Sequence, residues 1–297
     1  MPGELHPTRV AEFYCEEPGQ LQRAATDAAA DYVARRTVAV GLFDPNYERG
    51  IRRGTGTCVS IRGTYLVATA AHHFVDVPEE PFEVGVLALS NIPNRSIFRA
   101  RRFNFRGGRA GDREDVAWLE LSEATAHDLG REFLTLDGIL PYYSGVPGEP
   151  LFSYGFPDHM EITPKEDGQA EFGFAVQSYA TFVLPTKGIA PRFHPNPDFD
   201  IFARYSTREL VGTLPKGRVA KLPDAPGLSG GGFWRVNIGK RGIWTPDDVK
   251  LVGIEHEWWP DDEWFRATKV CHWLRLVADD HPATRREIEA ALALGRQ

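Results

Sequence analysis

The sequence predicts an all-β dominated fold with helices at both ends, and three observations carry that prediction. From Thr37 onward, short β-branched and aromatic runs alternate with Gly, Pro, Asn and Asp, the pattern of many strands joined by turns. The first and last stretches instead carry apolar residues at helical spacing. Between the β-rich parts, Glu123–Phe133 reads as a short helix bridging two halves.

Taken in order, Glu17–Arg36 is alanine-rich, has Pro18 suited to a first turn, and repeats Leu21, Ala25, Ala28 and Tyr32 along one face. Strands are expected at Thr37–Phe43, Gly56–Ile61, Tyr65–Ala68, Phe82–Leu89 and Val116–Leu121. A second set follows at Leu151–Tyr154, Ala175–Val183, Ile201–Tyr205, Gly231–Val236 and Leu251–Ile254. Helices return around Cys271–Ala278 and Pro282–Leu294, where Ile288, Ala291 and Leu292 share a face. The expected division is an extension over 1–36, a first β half over 37–125 and a connector over 126–147. A second β half over 148–270 and helices over 271–297 complete it.

The net charge of −7 favours solubility and argues against general affinity for nucleic acid. No apolar run approaches the ~18 residues of a membrane span. Glu4, Arg9 and Glu12 interrupt the region where a signal peptide needs an apolar core. The three cysteines, Cys15, Cys58 and Cys271, are scattered and odd in number. They fit a reducing compartment and show no metal-ligand spacing. The expectation is a cytoplasmic protein without cofactor or membrane contact.

Three segments point to chemistry. Gly227-Leu228-Ser229-Gly230-Gly231-Gly232-Phe233 walls a serine with glycines, a setting that exposes a hydroxyl on a tight turn beside backbone N–H groups. Leu66-Val67-Ala68-Thr69-Ala70-Ala71-His72 runs a buried-type strand into a histidine. Asp115 opens the apolar run Val116-Ala117-Trp118-Leu119-Glu120-Leu121, where a poorly solvated carboxylate wants a partner such as an imidazole N–H.

In this order the three segments resemble the histidine, aspartate and serine signatures of the trypsin-like serine peptidases, with Thr69-Ala70-Ala71-His72 and Gly227-Leu228-Ser229-Gly230-Gly231 as the most specific matches. Gly54-Thr55-Gly56-Thr57, Gly155-Phe156-Pro157 and Leu251-Val252-Gly253-Ile254 flank them in keeping. The likeness spans roughly residues 37 to 280. The interval from His72 to Asp115 is near the family's, while the longer one to Ser229 implies an insertion, and Asp158–Pro197 has the composition of a loop system there.

The resemblance implies two packed antiparallel β-barrels of chymotrypsin type with a cleft between them. It further implies a serine endopeptidase in which Ser229 attacks, His72 is the base, Asp115 orients His72, and the N–H groups of Gly227 and Ser229 form the oxyanion hole. Such activity falls as pH drops through roughly 6–7, where an ordinary histidine protonates. Its partner is a protein or peptide substrate, and controlled activity calls for narrow specificity or an activating protein partner.

Departures matter too. Relatives often pair a cysteine near Cys58 with one directly after the histidine, but that second position is His73. Leu228 stands where digestive members pair an aspartate with a new N-terminus, which excludes that activation route. Pro223 and Asp224 fall at the base of the implied specificity pocket, and His256-Glu257-Trp258 on its wall. Asp224, Glu255 or Glu257 would favour a basic residue before the cleaved bond if directed inward, and solvated acids are the other reading. The acidic, aromatic stretch His256–Phe265 reads either as a substrate rim or as a packed hairpin.

Arg95, Arg99, Arg101, Arg102, Arg106, Arg109 and Arg113 interleave with Phe98, Phe103 and Phe105. Outward arginines over inward phenylalanines fit this run better than a nucleic-acid platform. The His72-His73 pair and His256 lack chelating spacing, so no metal is expected. The competing function is a catalytically silent scaffold of the same fold that binds a protein or nucleic acid.

Overall fold

The computed structural model describes residues 27–43, 50–75, 83–87, 97–157, 162–164, 170–172, 177–207, 210–214, 218–221, 224–237, 245 and 248–295. Cys15, Pro223, Arg95 and the start of the expected N-terminal helix lie outside them, as does much of the first half of 158–197.

Helical backbone over 27–34 (α1) leads into β1 (Thr37–Phe43), β2 (Gly50–Ile61), β3 (Thr64–Thr69), β4 (Glu83–Leu87), β5 (Ile97–Arg99), β6 (Arg102–Gly107) and β7 (Asp115–Leu121). They form one antiparallel sheet ordered β5-β4-β1-β2-β3-β7-β6. The sheet curls, because Phe98 from one edge strand and Phe105 from the other pack on the same interior cluster of Val38, Val40, Leu42, Val67, Val86 and Leu119.

Ser122 caps a short helix α2 (Glu123–Asp128), its hydroxyl accepting the Thr125 N–H at 3.0 Å. The second half contains β8 (Pro150–Gly155), a ribbon of β9 (Ile162–Pro164) and β10 (Ala170–Phe172), β11 (Gln177–Leu184) and β12 (Asp200–Arg204). A second ribbon of β13 (Leu210–Leu214) and β14 (Arg218–Lys221) precedes β15 (Gly232–Val236), β16 (Val249–Trp259) and β17 (Trp264–Lys269). Six of these strands close a barrel in the order β11-β12-β17-β16-β15-β8. The architecture is therefore the expected all-β pair of antiparallel barrel sheets.

Two helices, α3 (Val270–Asp280) and α4 (Pro282–Leu294), end the described chain. The largest apolar cluster joins both halves: Val116 and Trp118 of the first sheet, Trp234 and Leu251 of the barrel, Tyr32 of α1, Trp273 of α3 and Ile288 of α4. Trp273 is fully buried and donates its indole N–H to the Ala117 carbonyl at 2.9 Å, which satisfies the polar handle of a large apolar side chain. The flanking helices thus fix how the first sheet meets the barrel.

The arginine run is β5, β6 and adjoining loops. Phe98 and Phe105 are part-buried against the interior, although Phe103 is 41% exposed. Arg99 pairs with Glu83, Arg102 with Glu120 and Arg106 with Asp279, so these three cations are already engaged. The stretch 256–265 is a hairpin, β16 turning into β17 at 260–263.

Candidate active site

The histidine turn follows directly from β3. Ala71–His73 forms one 3-10 turn, and the small side chains of Ala70 and Ala71 are fully buried, which lets the turn lie against β7. Gly108 makes this approach possible. Its φ is 94°, and a Cβ there would sit 2.6 Å from the His72 nitrogen.

Asp115, the first residue of β7, meets that turn. One carboxylate oxygen accepts the backbone N–H groups of Ala71 at 2.5 Å and His72 at 3.0 Å. The other accepts His72 Nδ1–H at 2.8 Å. A carboxylate accepts only, so the proton sits on Nδ1 and neutral His72 carries its lone pair on Nε2. Burial alone would raise the Asp115 pKa, but the His72 hydrogen bonds and the nearby His256 and His72 rings outweigh it and hold it at about 2.

His256 Nδ1 lies 3.5 Å from the same Asp115 oxygen. A register shift between Glu255 and Glu257 marks this point of β16. Burial lowers the His256 pKa, although Asp115 opposes the shift. His256 is therefore packed behind the aspartate, with its side chain 10% exposed.

Ser229 sits on a turn between Gly227 (φ 91°) and Gly230 (φ 86°), both in the left-handed region that favours glycine. Its main chain is tied to the first sheet. The Ser229 carbonyl accepts Thr55 N–H at 2.8 Å and His73 Nε2–H at 3.0 Å. Thr55 Oγ1 donates to the Gly227 carbonyl at 2.8 Å and accepts Phe156 N–H at 3.0 Å. Gly54 leaves space for this, since a Cβ there would lie 2.3 Å from His73 Nε2. From the barrel side, Gly230 N–H donates to the Glu255 carbonyl at 2.6 Å. No hydrogen bond joins Ser229 Oγ to His72 Nε2 among the described residues.

The sequence alone gives His73 and Thr55 no part in holding the Ser229 turn. The position of His73 directly after His72 was the available signal, but its contact with Ser229 is long-range.

The expected pocket residues diverge. Asp224 is exposed, Ala225 is buried and Leu228 belongs to the barrel core. Trp258 packs on that core edge-on to Tyr205, and Tyr205 stacks on Phe265 at 3.9 Å. Glu257 pairs with Arg266 at 3.1 Å. Glu255 is buried, its Oε2 lacks a hydrogen bond, and burial pushes its pKa well up, with Asp115 and Glu257 adding to the shift.

An open cleft of about 1050 Å³ is lined by His72 and Asp115 together with Glu257, Trp259 and the 192–197 loop. Ser229 is not part of its lining. Among the described residues no group of three or more His, Cys, Asp or Glu side chains could hold a metal ion, and no helix is long and apolar enough to cross a membrane. Cys58 and Cys271 are free and buried.

No protein-family model matches the chain, and no curated protein matches it in sequence. Solved structures that it resembles include GrC, at 15% identity and a TM-score of 0.49, covering 84% of this chain and 95% of that one. Kallikrein-related peptidase 10 overlaps at 16% identity and a TM-score of 0.45, covering 85% and 98%. At these values neither likeness supports an assignment of activity.

Proposed function

We propose that the protein is a serine endopeptidase that works through His72, Asp115 and Ser229. The observation that carries this reading is the His72–Asp115 pair. An aspartate buried at a strand start, held by two backbone N–H groups and facing Nδ1, fixes the tautomer a general base needs. Ser229 supplies the nucleophile on a turn bound to the residue after that base.

In the reaction, Ser229 Oγ attacks the scissile carbonyl as its proton passes to His72 Nε2. Asp115 stabilises the imidazolium, which then protonates the leaving amine and frees it. Water attacks the acyl-enzyme with His72 again as base, releasing the acid and restoring Ser229. The N–H groups of Gly227 and Ser229 receive the oxyanion, each such donor being worth about 10²–10³ in turnover. The first step requires Ser229 Oγ and His72 Nε2 to come into hydrogen-bond contact on substrate binding, as apo sites often do. An activating protein partner or a well-matched substrate supplies that closure, and narrow specificity follows from it.

A peptide-library digest read by mass spectrometry tests the reading. Cleavage at a restricted set of sites, lost in Ser229→Ala, is expected. Cleavage equal in wild type and Ser229→Ala would refute it.

A second reading, a silent scaffold that binds a partner, is favoured by the missing Ser229–His72 hydrogen bond and the Tyr205–Phe265 stack that fills the adjoining barrel interior. Binding of a protein partner unaffected by Ser229→Ala, with no turnover in its presence, would select it.

A further inference from the structure

His272, on the first turn of α3, is buried with its side chain only 4% exposed, and both ring nitrogens face acceptors. Nδ1 lies 3.1 Å from Glu114 Oε1, and Nε2 lies 3.1 Å from the Asp198 carbonyl. A neutral imidazole has one N–H and can donate to only one of them. Its second nitrogen would then turn a lone pair towards an oxygen lone pair. Only the doubly protonated ring satisfies both contacts, and a buried cation needs the carboxylate that Glu114 provides. Phe199 stacks on the ring at 4.1 Å.

The three partners come from different parts of the molecule. Glu114 directly precedes Asp115 in the first half, Asp198 lies on the loop before β12 in the second, and α3 spans both. The Glu114 carbonyl accepts Gly108 N–H at 3.1 Å, and Gly108 abuts the His72 nitrogen. A continuous chain of contacts therefore runs from His272 through Glu114 and Gly108 to His72. The Glu114 and 194–197 segments also line the large cleft.

We propose that His272 is a positioning residue for this site: as an imidazolium it clamps Glu114 to the 194–199 loop and so fixes the wall on which Asp115 and His72 stand. The catalytic consequence rests on the hydrolase reading above, while the charge of the ring does not.

The charged groups around the ring are of both signs, and the Glu114 carboxylate is the one in contact with it. Glu114 is backed by Arg106 of β6 at 3.5 Å, and Arg106 also pairs with Asp279 of α3. Cys271 and Lys269 flank His272 on its own segment, Asp198 lies across from it, and Arg275 shares the adjacent cavity. Burial opposes protonation, but the neighbouring Cys271 and Glu114 side chains and the Asp198 carbonyl outweigh it and raise the His272 pKa to about 9. Glu114 moves the other way, its pKa lowered chiefly by its bond to His272. A raised histidine contributes stability in full below its unfolded value, near 6.5. That contribution is lost as pH rises through about 9.

The test is a nitrogen-15 NMR titration of the histidine rings in the full-length protein, with His272→Gln assigning the signals. Two ring N–H protons on His272 at pH 7, one of them lost near pH 9, are expected; a neutral His272 ring at pH 7 overturns the clamp. Turnover of a cleaved peptide forms the second arm. Wild-type kcat/KM should decline as pH rises through about 9. His272→Gln and Glu114→Gln should be lower by roughly 10-fold to 10²-fold, the scale of a misplaced site, and lack that alkaline decline. Unchanged profiles in both variants overturn the positioning role. Should Ser229-dependent turnover itself be missing, the hydrolase reading fails while the NMR titration still decides the clamp.

Discussion

Asp115 is fixed by three donors, and its histidine projects from a turn locked by Gly108, whereas the Ser229 turn is fixed by main-chain hydrogen bonds and the buried Leu228 side chain. Its carbonyl has two donors, while its hydroxyl has no hydrogen bond to His72 among the described residues. In the proposed mechanism the acid–base half of the site is preassembled, and the nucleophile half is anchored but unengaged. On the proposed hydrolase reading, substrate or partner has to complete one contact, not build a site.

Breaking the assembled half should produce the largest effect. Asp115→Asn preserves shape but permits the wrong His72 tautomer, so kcat should fall about 10⁴-fold in a steady-state peptide assay with little change in KM. A loss below ten-fold would show that the pair does not carry the chemistry.

Gly108→Ala comes next. Its Cβ meets the His72 and Ala71 main chain at a φ of 94°, at a cost of about 1–3 kcal/mol for a strained backbone. The variant should lose stability in denaturant unfolding and activity together. Gly111→Ala shares a positive φ of 93° but meets no atom within 4 Å, so it should lose some stability and keep its activity.

The smallest effect sharpens the nucleophile side. Glu255 holds the Gly230 N–H through its carbonyl while its own carboxyl is buried with a raised pKa. A raised acid contributes stability in full below its unfolded value, near 4.3, and loses it as pH rises towards the folded value. Glu255→Gln removes that loss, so its Tm should gain on wild type as pH climbs above about 4.3. Parallel Tm curves for the two proteins would contradict the raised carboxyl.

The sequence made the site legible where the chemistry is local. Thr69–His72 and Gly227–Gly231 each encode a turn in consecutive residues, and β1 was predicted at its observed bounds. Residues that act across the fold were not legible. His73 reaches Ser229, His256 backs Asp115 and His272 joins three segments, and none of these pairings leaves a mark in its neighbours. Strand β17 was missed because Arg266 and Lys269 interrupt its apolar residues, its Arg266 being neutralised by Asp200 and Glu257. The short ribbons of β9 with β10 and β13 with β14 have too few residues to show a period.

In the proposed mechanism Ser229 is a nucleophile activated by the His72–Asp115 pair. Mass spectrometry of the protein after treatment with a fluorophosphonate tests it most directly. One adduct on Ser229 is expected, absent in Ser229→Ala and strongly reduced in His72→Ala. A folded wild-type protein that gains no Ser229 adduct with or without a cleaved peptide present, or a His72→Ala variant that labels as fast as wild type, would contradict it.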